Sequence, residues 1–461
     1  LLSQQWYLDN ANGLDLNLNG VDPEISGSGI HIGVVDDGIN YAHPDLINNL
    51  DLLRDGAEAF NFSGANEVFY DANLRLGPKP ESGHGTAVTG LINATKYNQK
   101  GIVGVAYGAT VAGSEVDWSL PSIDAALRRQ LNNSIGGVDI SNNSWGFIQP
   151  FADDFDNPLL ESAAETVERG VREGRFLDGT YLGINWVHSA GNSRGQGDNT
   201  NYHNFGNSRF VINVASTTRD GSTSLFSTPG ASILVSAFGE NLLTTYYDYR
   251  NPSQNNNYTL FSGTSAAAPL VSGIIALMLE TNPCLGYRDI QSILANCARQ
   301  ETSEGFKFNG AQHWNGGGLH VSHDQGFGLV DAHAAVRLAE SWLTMPMTAS
   351  NEQTFAWRPN DLGSIPDNDS KESALTTASI INLNPGSTSR IALKNLSIGD
   401  KTWIDAAIGG DGNDVITGNS LSNKLFGGRG NDRFVASQGN DFIDGGRGFD
   451  QIIYNARRDD F

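Results

Sequence analysis

Three side chains in this sequence have the types and settings that acyl-transfer chemistry requires. Ser265 stands in FSGTSAAAPLVSGIIALMLE (261–280), where a turn carrying Gly263 and Thr264 runs into an apolar segment long enough for about five helical turns. A serine at a helix N-terminus suits a nucleophile, because unpaired backbone N–H groups and the positive end of the helix dipole stabilise charge developing beside the hydroxyl. Pro269, one turn in, is expected to be tolerated because first-turn N–H groups have no helical partner. A serine hydroxyl is a weak nucleophile at neutral pH, so it needs a histidine base and a carboxylate that fixes the histidine tautomer. His84 lies in SGHGTAVTGLINAT (82–95), flanked by Gly83 and Gly85 and followed by Val88, Leu91 and Ile92 at helical spacing. Asp36 ends the apolar run IHIGVVDDGI (30–39), ahead of Asp37 and the Gly38 turn. Taken singly, each has a structural alternative: a cap serine, a capping histidine, a turn aspartate. The order Asp, His, Ser, each at the mouth of a strand or helix, points to a nucleophilic triad.

The elements that must position these residues are legible as alternating patterns. Residues 31–36 read as a buried strand, and further strands are expected at 110–116, 138–145, 184–190 and 210–216, with helical patterns at 121–131 and 158–173 between them. Strands alternating with helices predict an α/β fold with a doubly wound parallel sheet covered on both faces. Open sheets of this kind place chemistry at the carboxyl ends of their strands, where Asp36 falls.

The segments VVDDGINYAHPDL, GHGTAVTGLI, SNNSWG, HSAGN and SGTSAAAPL together resemble the subtilisin-like serine proteases over about residues 4–340. The double acid of VVDDG, the opening QQWYLDN and the closing GFGLVDAHAAVRLAESW resemble the kexin and furin branch more than ordinary secreted subtilisins. The resemblance implies that Asp36 orients His84 and that His84 deprotonates Ser265. It also implies that Asn192, in HSAGN, donates to the oxyanion, a contact worth roughly 3 to 4 kcal/mol in the transition state. Ser144, Trp145 and Gly146 resemble the edge segment that pairs with an extended substrate.

The same resemblance implies calcium near the loop after the His84 helix, with Asp45 and Asn98 as side-chain ligands and the carbonyls of Thr95, Lys100 and Ile102 as backbone ligands. Asp198 matches an acid that binds a second calcium beneath the specificity pocket, but its glutamate partner falls at Thr228. The pocket-floor aspartate of the family is His203 here, and an insertion after SWG could bring Asp153 or Asp154 into the pocket. Asp37 and Glu81 place two further acids beside the cleft, which would favour Lys or Arg near the cleaved bond unless they are solvated rim charges.

With 461 residues and 39% hydrophobic content, the chain can bury a large core and is expected to hold more than one domain. Twenty-nine basic against 51 acidic residues give a net charge of −22, which argues against a nucleic-acid partner. No apolar run is read as membrane-spanning and no signal peptide opens the chain. Subtilisin-like enzymes are made with a signal and a propeptide, so Leu1 is expected to mark a processed or truncated start. Cys284 and Cys297 could form one disulfide or remain two buried thiols.

Composition changes after residue 341. Residues 342–404, rich in Ser, Asn, Thr and Asp, read as a linker or small β region between a catalytic domain (1–341) and a repeat tract (405–461). From 409 the chain repeats every nine residues: GGDGNDVIT, GNSLSNKLF, GGRGNDRFV, ASQGNDFID, GGRGFDQII. That register predicts a small all-β parallel β-roll, with Ile416, Leu425, Phe434, Ile443 and Ile452 facing its interior. Asp414, Asp432, Asp441 and Asp450 are expected to bind calcium between turns. The tract resembles the RTX repeats of exported bacterial proteins, which implies type I secretion and folding on extracellular calcium.

The combined reading is a secreted, calcium-dependent serine endopeptidase acting on protein or peptide substrates at or beside basic residues, with a propeptide or inhibitor and a type I secretion system as further partners. Two alternatives stay open: a broad-specificity subtilisin-type protease, and a noncatalytic surface or adhesion protein on a protease scaffold.

Overall fold

Six segments rich in Val, Ile and Ala are too apolar to face water on either side, and they assemble into one sheet buried between helices. A computed structural model describes the chain apart from residues 1, 11–12, 51–82, 117–136, 148–149, 154, 156–160, 248–256, 303–304, 309–317, 345–378, 392–393, 401–402, 405, 411, 429, 447 and 455–461. The strands are β1 (His31–Asp36), β2 (Thr110–Glu115), β3 (Ile140–Asn143), β4 (Asn185–Ser189), β5 (Val211–Thr217) and β6 (Ile233–Phe238), all parallel, in the order β2-β1-β3-β4-β5-β6. The strands expected from sequence lie within a residue or two of these. Strand order reverses at β1, so the crevice of the sheet opens at the carboxyl end that carries Asp36.

Alternation along β1 divides the core. Ile32 and Val34 join the larger cluster, packed by α1 (His84–Asn93), α3 (Thr264–Thr281), α4 (Tyr287–Cys297) and α5 (Ala332–Ser341). Val35 joins the second, with Trp186 and with Ala163, Val167 and Val171 of α2 (Glu161–Glu173). The sheet is thus covered on both faces, the doubly wound arrangement. The expected helix at 121–131 lies outside the described residues.

α3 differs from the sequence reading in one respect. By length and composition it could cross a membrane, although no run was read as spanning; 89% of it is buried inside the fold, which makes it a core helix. Cys284 and Cys297 are free thiols rather than a disulfide. Burial, with Asp331 adding to it, pushes the Cys297 thiol up to about 11, so it stays protonated and inert.

The chain divides into two units, Leu1–Gln353 and Thr354–Phe461. In the second, two stacks of parallel strands form a roll with an 18-residue period. One stack is β12 (Val415–Thr417), β13 (Arg433–Ala436) and β14 (Gln451–Tyr454); the other is Ala406–Gly410, Lys424–Gly428 and Phe442–Asp444. Ile416, Leu425 and Phe434 are fully buried as expected, but Ile443 is half-buried and Ile452 is 43% exposed, because no further described rung covers them. The expected linker is in part a cap. Ile380–Asn382 pairs in parallel with Val415–Thr417 and continues into a hairpin, and Ile381 and Leu383 close the interior over Ile416.

Candidate active site

β1 delivers Asp36 to the crevice and α1 begins at His84, which brings two residues 48 positions apart into contact. His84 Nδ1 lies 2.8 Å from Asp36 Oδ1, which also accepts the Asp37 N–H at 2.8 Å. Asp36 is 1% exposed and its Oδ2 meets no hydrogen-bond donor, so its charge bears on the imidazole. Burial opposes charging of His84, but the Asp36 carboxylate and its hydrogen bond outweigh it, with Asp37 assisting, and hold the His84 pKa above its ordinary 6.5.

Asp37 is not a rim charge. It is buried, and its carboxylate accepts the N–H groups of His84 (3.3 Å) and Gly85 (2.7 Å), which caps the free end of α1. The physical reason is the close approach of that helix end to the Gly38 turn, where a Cβ on Gly85 would collide with Gly38 O. Glu81 and Asp154 lie outside the described residues.

Ser265 is the second residue of α3 and is buried. Its hydroxyl donates to Ser144 O at 3.0 Å, and the Ser144 hydroxyl donates back to Ser265 O at 3.2 Å. The second bond explains Pro269, which is the sixth helical residue rather than a first-turn one. The ring removes the N–H that Ser265 O would accept, and Ser144 supplies the replacement. Asn192 Oδ1 accepts both the N–H and the hydroxyl of Thr264, each at 2.9 Å, so the amide is oriented with Nδ2 as its remaining donor. Thr264, which the sequence reading passed over, therefore aims the oxyanion donor, and its Oγ1 also accepts the Gly191 N–H at 3.1 Å.

Beside Ser265 opens a cavity of about 370 Å³ lined by Trp145, Gly146, Phe147, Ala190, Gly191 and Asn192, with Asp153, Asp198 and His203 deeper in its wall. His203 bridges the two acids: Nδ1 lies 3.3 Å from Asp153 Oδ1, and Nε2 lies 3.0 and 3.1 Å from the oxygens of Asp198. With both ring nitrogens facing carboxylates, the ring is held as an imidazolium, and those acids raise its pKa against the opposing effect of burial. Two acids and one cation leave the cavity wall net negative. His188, beneath it, is pushed down to about 4 chiefly by burial and stays neutral. Gly146 is exposed with open space around it, at the mouth of the cavity.

The expected calcium ligands meet, but differently. Asp198 is taken up by His203 and by the Asn199 N–H (2.9 Å), while Thr228 Oγ1 accepts the Ser193 N–H (2.9 Å), so this donor set does not fit a cation. Asp45 accepts Asn98 Nδ2 (2.6 Å), the Ile102 N–H (2.9 Å) and the Tyr258 hydroxyl (2.9 Å). The Thr95 N–H bonds Asp45 O, and the Lys100 N–H bonds Asn98 Oδ1. All five residues gather as expected, yet N–H and O–H donors already satisfy the carboxylate, a hydrogen-bonded knot rather than an oxygen cage. Among the described residues no three His, Cys, Asp or Glu side chains converge on one metal position.

Residues 27–328 match the model of the subtilase family. The chain belongs to that family. Residues 404–420 and 417–452 of this subtilase match the RTX calcium-binding nonapeptide repeat, so calcium is its cofactor. It is 34% identical over 345 residues to mouse proprotein convertase subtilisin/kexin type 4, covering 74% of this chain and 50% of that protein. It is 33% identical over 370 residues to human furin, covering 78% and 43%. The chain thus spans about half the length or less of these curated relatives. Among solved structures, the serine protease of Aeromonas sobria aligns with a TM-score of 0.60 at 24% identity, covering 75% of this chain and 68% of that one. A protease from Pseudoalteromonas arctica aligns with a TM-score of 0.55 at 26% identity, covering 73% and 98%.

Proposed function

We propose that this subtilase is a secreted, calcium-dependent endopeptidase that uses Asp36, His84 and Ser265 as its triad and favours Lys or Arg just before the cleaved bond. The observation that carries the chemistry is the 2.8 Å contact of His84 with a buried Asp36 at the crevice that Ser265 also lines. Rotation about its Cα–Cβ bond frees the Ser265 hydroxyl from Ser144 O. His84 Nε2 then accepts its proton as Oγ bonds to the substrate carbonyl carbon, and Asp36 stabilises the resulting imidazolium. The carbonyl oxygen gains the negative charge and takes hydrogen bonds from Asn192 Nδ2 and the Ser265 N–H. His84 returns the proton to the departing amine, leaving an acyl-serine that water releases by the same steps. Gly146, exposed at the cavity mouth, suits backbone pairing with an extended substrate.

The preference for a cation rests on the net negative wall formed by Asp153, His203 and Asp198. Export rests on the RTX match, and the roll would take calcium when bound between its aspartate-bearing turns, neutralising them. The Aeromonas sobria enzyme has been solved in complex with a chaperone, which supports a dedicated propeptide or inhibitor here. The apolar Trp145 and Phe147 at the cavity favour the second reading, a broad, apolar-leaning protease. Short peptide substrates ending in Arg, Lys, Phe or Leu separate the two. The Asp153→Asn variant keeps an acceptor for the Phe205 N–H that Asp153 Oδ2 now bonds at 2.9 Å. It should lower the Arg-to-Phe ratio of kcat/KM by about tenfold or more, the worth of a charged hydrogen bond. A wild-type preference for Phe, unmoved by the substitution, would establish the apolar reading.

A further inference from the structure

The repeats of the roll fall on two edges, and the edges carry different chemistry. One edge holds Asp414, Asp432 and Asp450, with Gly410, Gly428 and Gly446 four residues before them. The other holds Asn423 and Asp441, with Asn419 and Ser437 at the matching positions.

On the first edge the carboxylates stack. Asp432 Oδ1 accepts the Asp414 N–H at 2.8 Å, and Asp450 Oδ1 accepts the Asp432 N–H at 3.0 Å. Asp432 is 1% exposed, and its Oδ2 meets no hydrogen-bond donor. A Cβ on Gly427 would collide with that oxygen, as one on Gly445 would with Asp450 Oδ2, so both glycines keep the carboxylates reachable. Burial, and secondly the neighbouring Asp450, hold the Asp432 carboxyl above its usual range despite the Asp414 N–H. This edge has anions without a counter-charge, which fits a divalent cation.

On the second edge every acceptor is answered by the protein. Asn423 Oδ1 accepts the Asn419 N–H (2.8 Å), and Asn423 Nδ2 donates to Ile404 O (3.2 Å) and Asn419 Oδ1 (3.2 Å). Asn419 Nδ2 donates to Leu383 O and Ile404 O. Asp441 Oδ1 accepts the Asn423 N–H (2.9 Å), and its Oδ2 accepts the N–H (3.3 Å) and hydroxyl (3.1 Å) of Ser437. Where the first edge has glycine, the second has a side chain that fills the cation's place.

We propose that calcium loads on the Asp414, Asp432 and Asp450 edge alone, and that Asn419 and Ser437 close the other edge without metal. The sequence expectation for Asp441 as a ligand is revised accordingly. The proposal stands apart from the triad and can be tested on the full chain carrying Ser265→Ala to prevent self-cleavage. Native mass spectrometry would count calcium bound to this parent and to its D432N, D441N and N419G/N423D/S437G variants, with circular dichroism checking the fold. D432N should lose at least one ion, D441N none, and the triple variant should gain at least one. Loss from D441N equal to that from D432N, or no gain in the triple variant, would overturn the proposal. If D432N does not fold, those two variants decide it.

Discussion

The His84 imidazole is held between burial, which disfavours its charge, and the Asp36 carboxylate, which favours it and wins. Because the folded pKa lies above the unfolded value, the ion pair contributes stability that is full below about pH 6.5 and is lost as pH rises through the folded pKa. Catalysis needs the opposite state, the neutral ring that can accept the Ser265 proton. kcat/KM should therefore climb with pH along a single-proton limb whose midpoint lies above about 6.5. A midpoint at or below that value would mean that Asp36 does not govern the base. At this scale the motifs made Asp36, His84, Asn192 and Ser265 legible, because strand and helix ends are written in local pattern. Asp37 was not legible: two adjacent acids look alike in sequence, and only the approach of α1 shows that one orients the base while the other caps the helix. The His203 bridge was equally hidden, because Asp153 reaches it from 50 residues away.

At the scale of elements, the site depends on how closely α1 meets the turn after β1. A Cβ on Gly85 would collide with Gly38 O and stand 3.0 Å from Asp36 Cβ. Gly85→Ala should displace the helix end, lower Tm by several degrees through about 1–3 kcal/mol of overpacking, and reduce kcat. Thermal unfolding beside initial rates would check this; unchanged values in both would mean that the junction is not tightly set. The sheet strands could be read from sequence because continuous apolar runs survive without context. The capping strand Ile380–Asn382 could not, since its only signal is the spacing of Ile381 and Leu383, too short to stand out in a polar stretch.

Across the whole molecule, a subtilase unit and a calcium-binding roll share one acidic chain of net charge −22. Calcium chemistry divides unevenly between them. The roll has an edge of buried carboxylates that lack a counter-charge, whereas Asp45 and Asp198 in the first unit are satisfied by protein donors. The family pattern foretold where those acids would gather, but not that a tyrosine hydroxyl and an imidazole would occupy their lone pairs. The central claim is cleavage by Ser265 beside a cation-accepting cavity. Digestion of a mixed peptide library by the chain and by its Ser265→Ala variant, with calcium present, tests it most directly. The account predicts cuts clustered after Lys and Arg that vanish in the variant; cuts after large apolar residues, or equal digestion by both proteins, would contradict it.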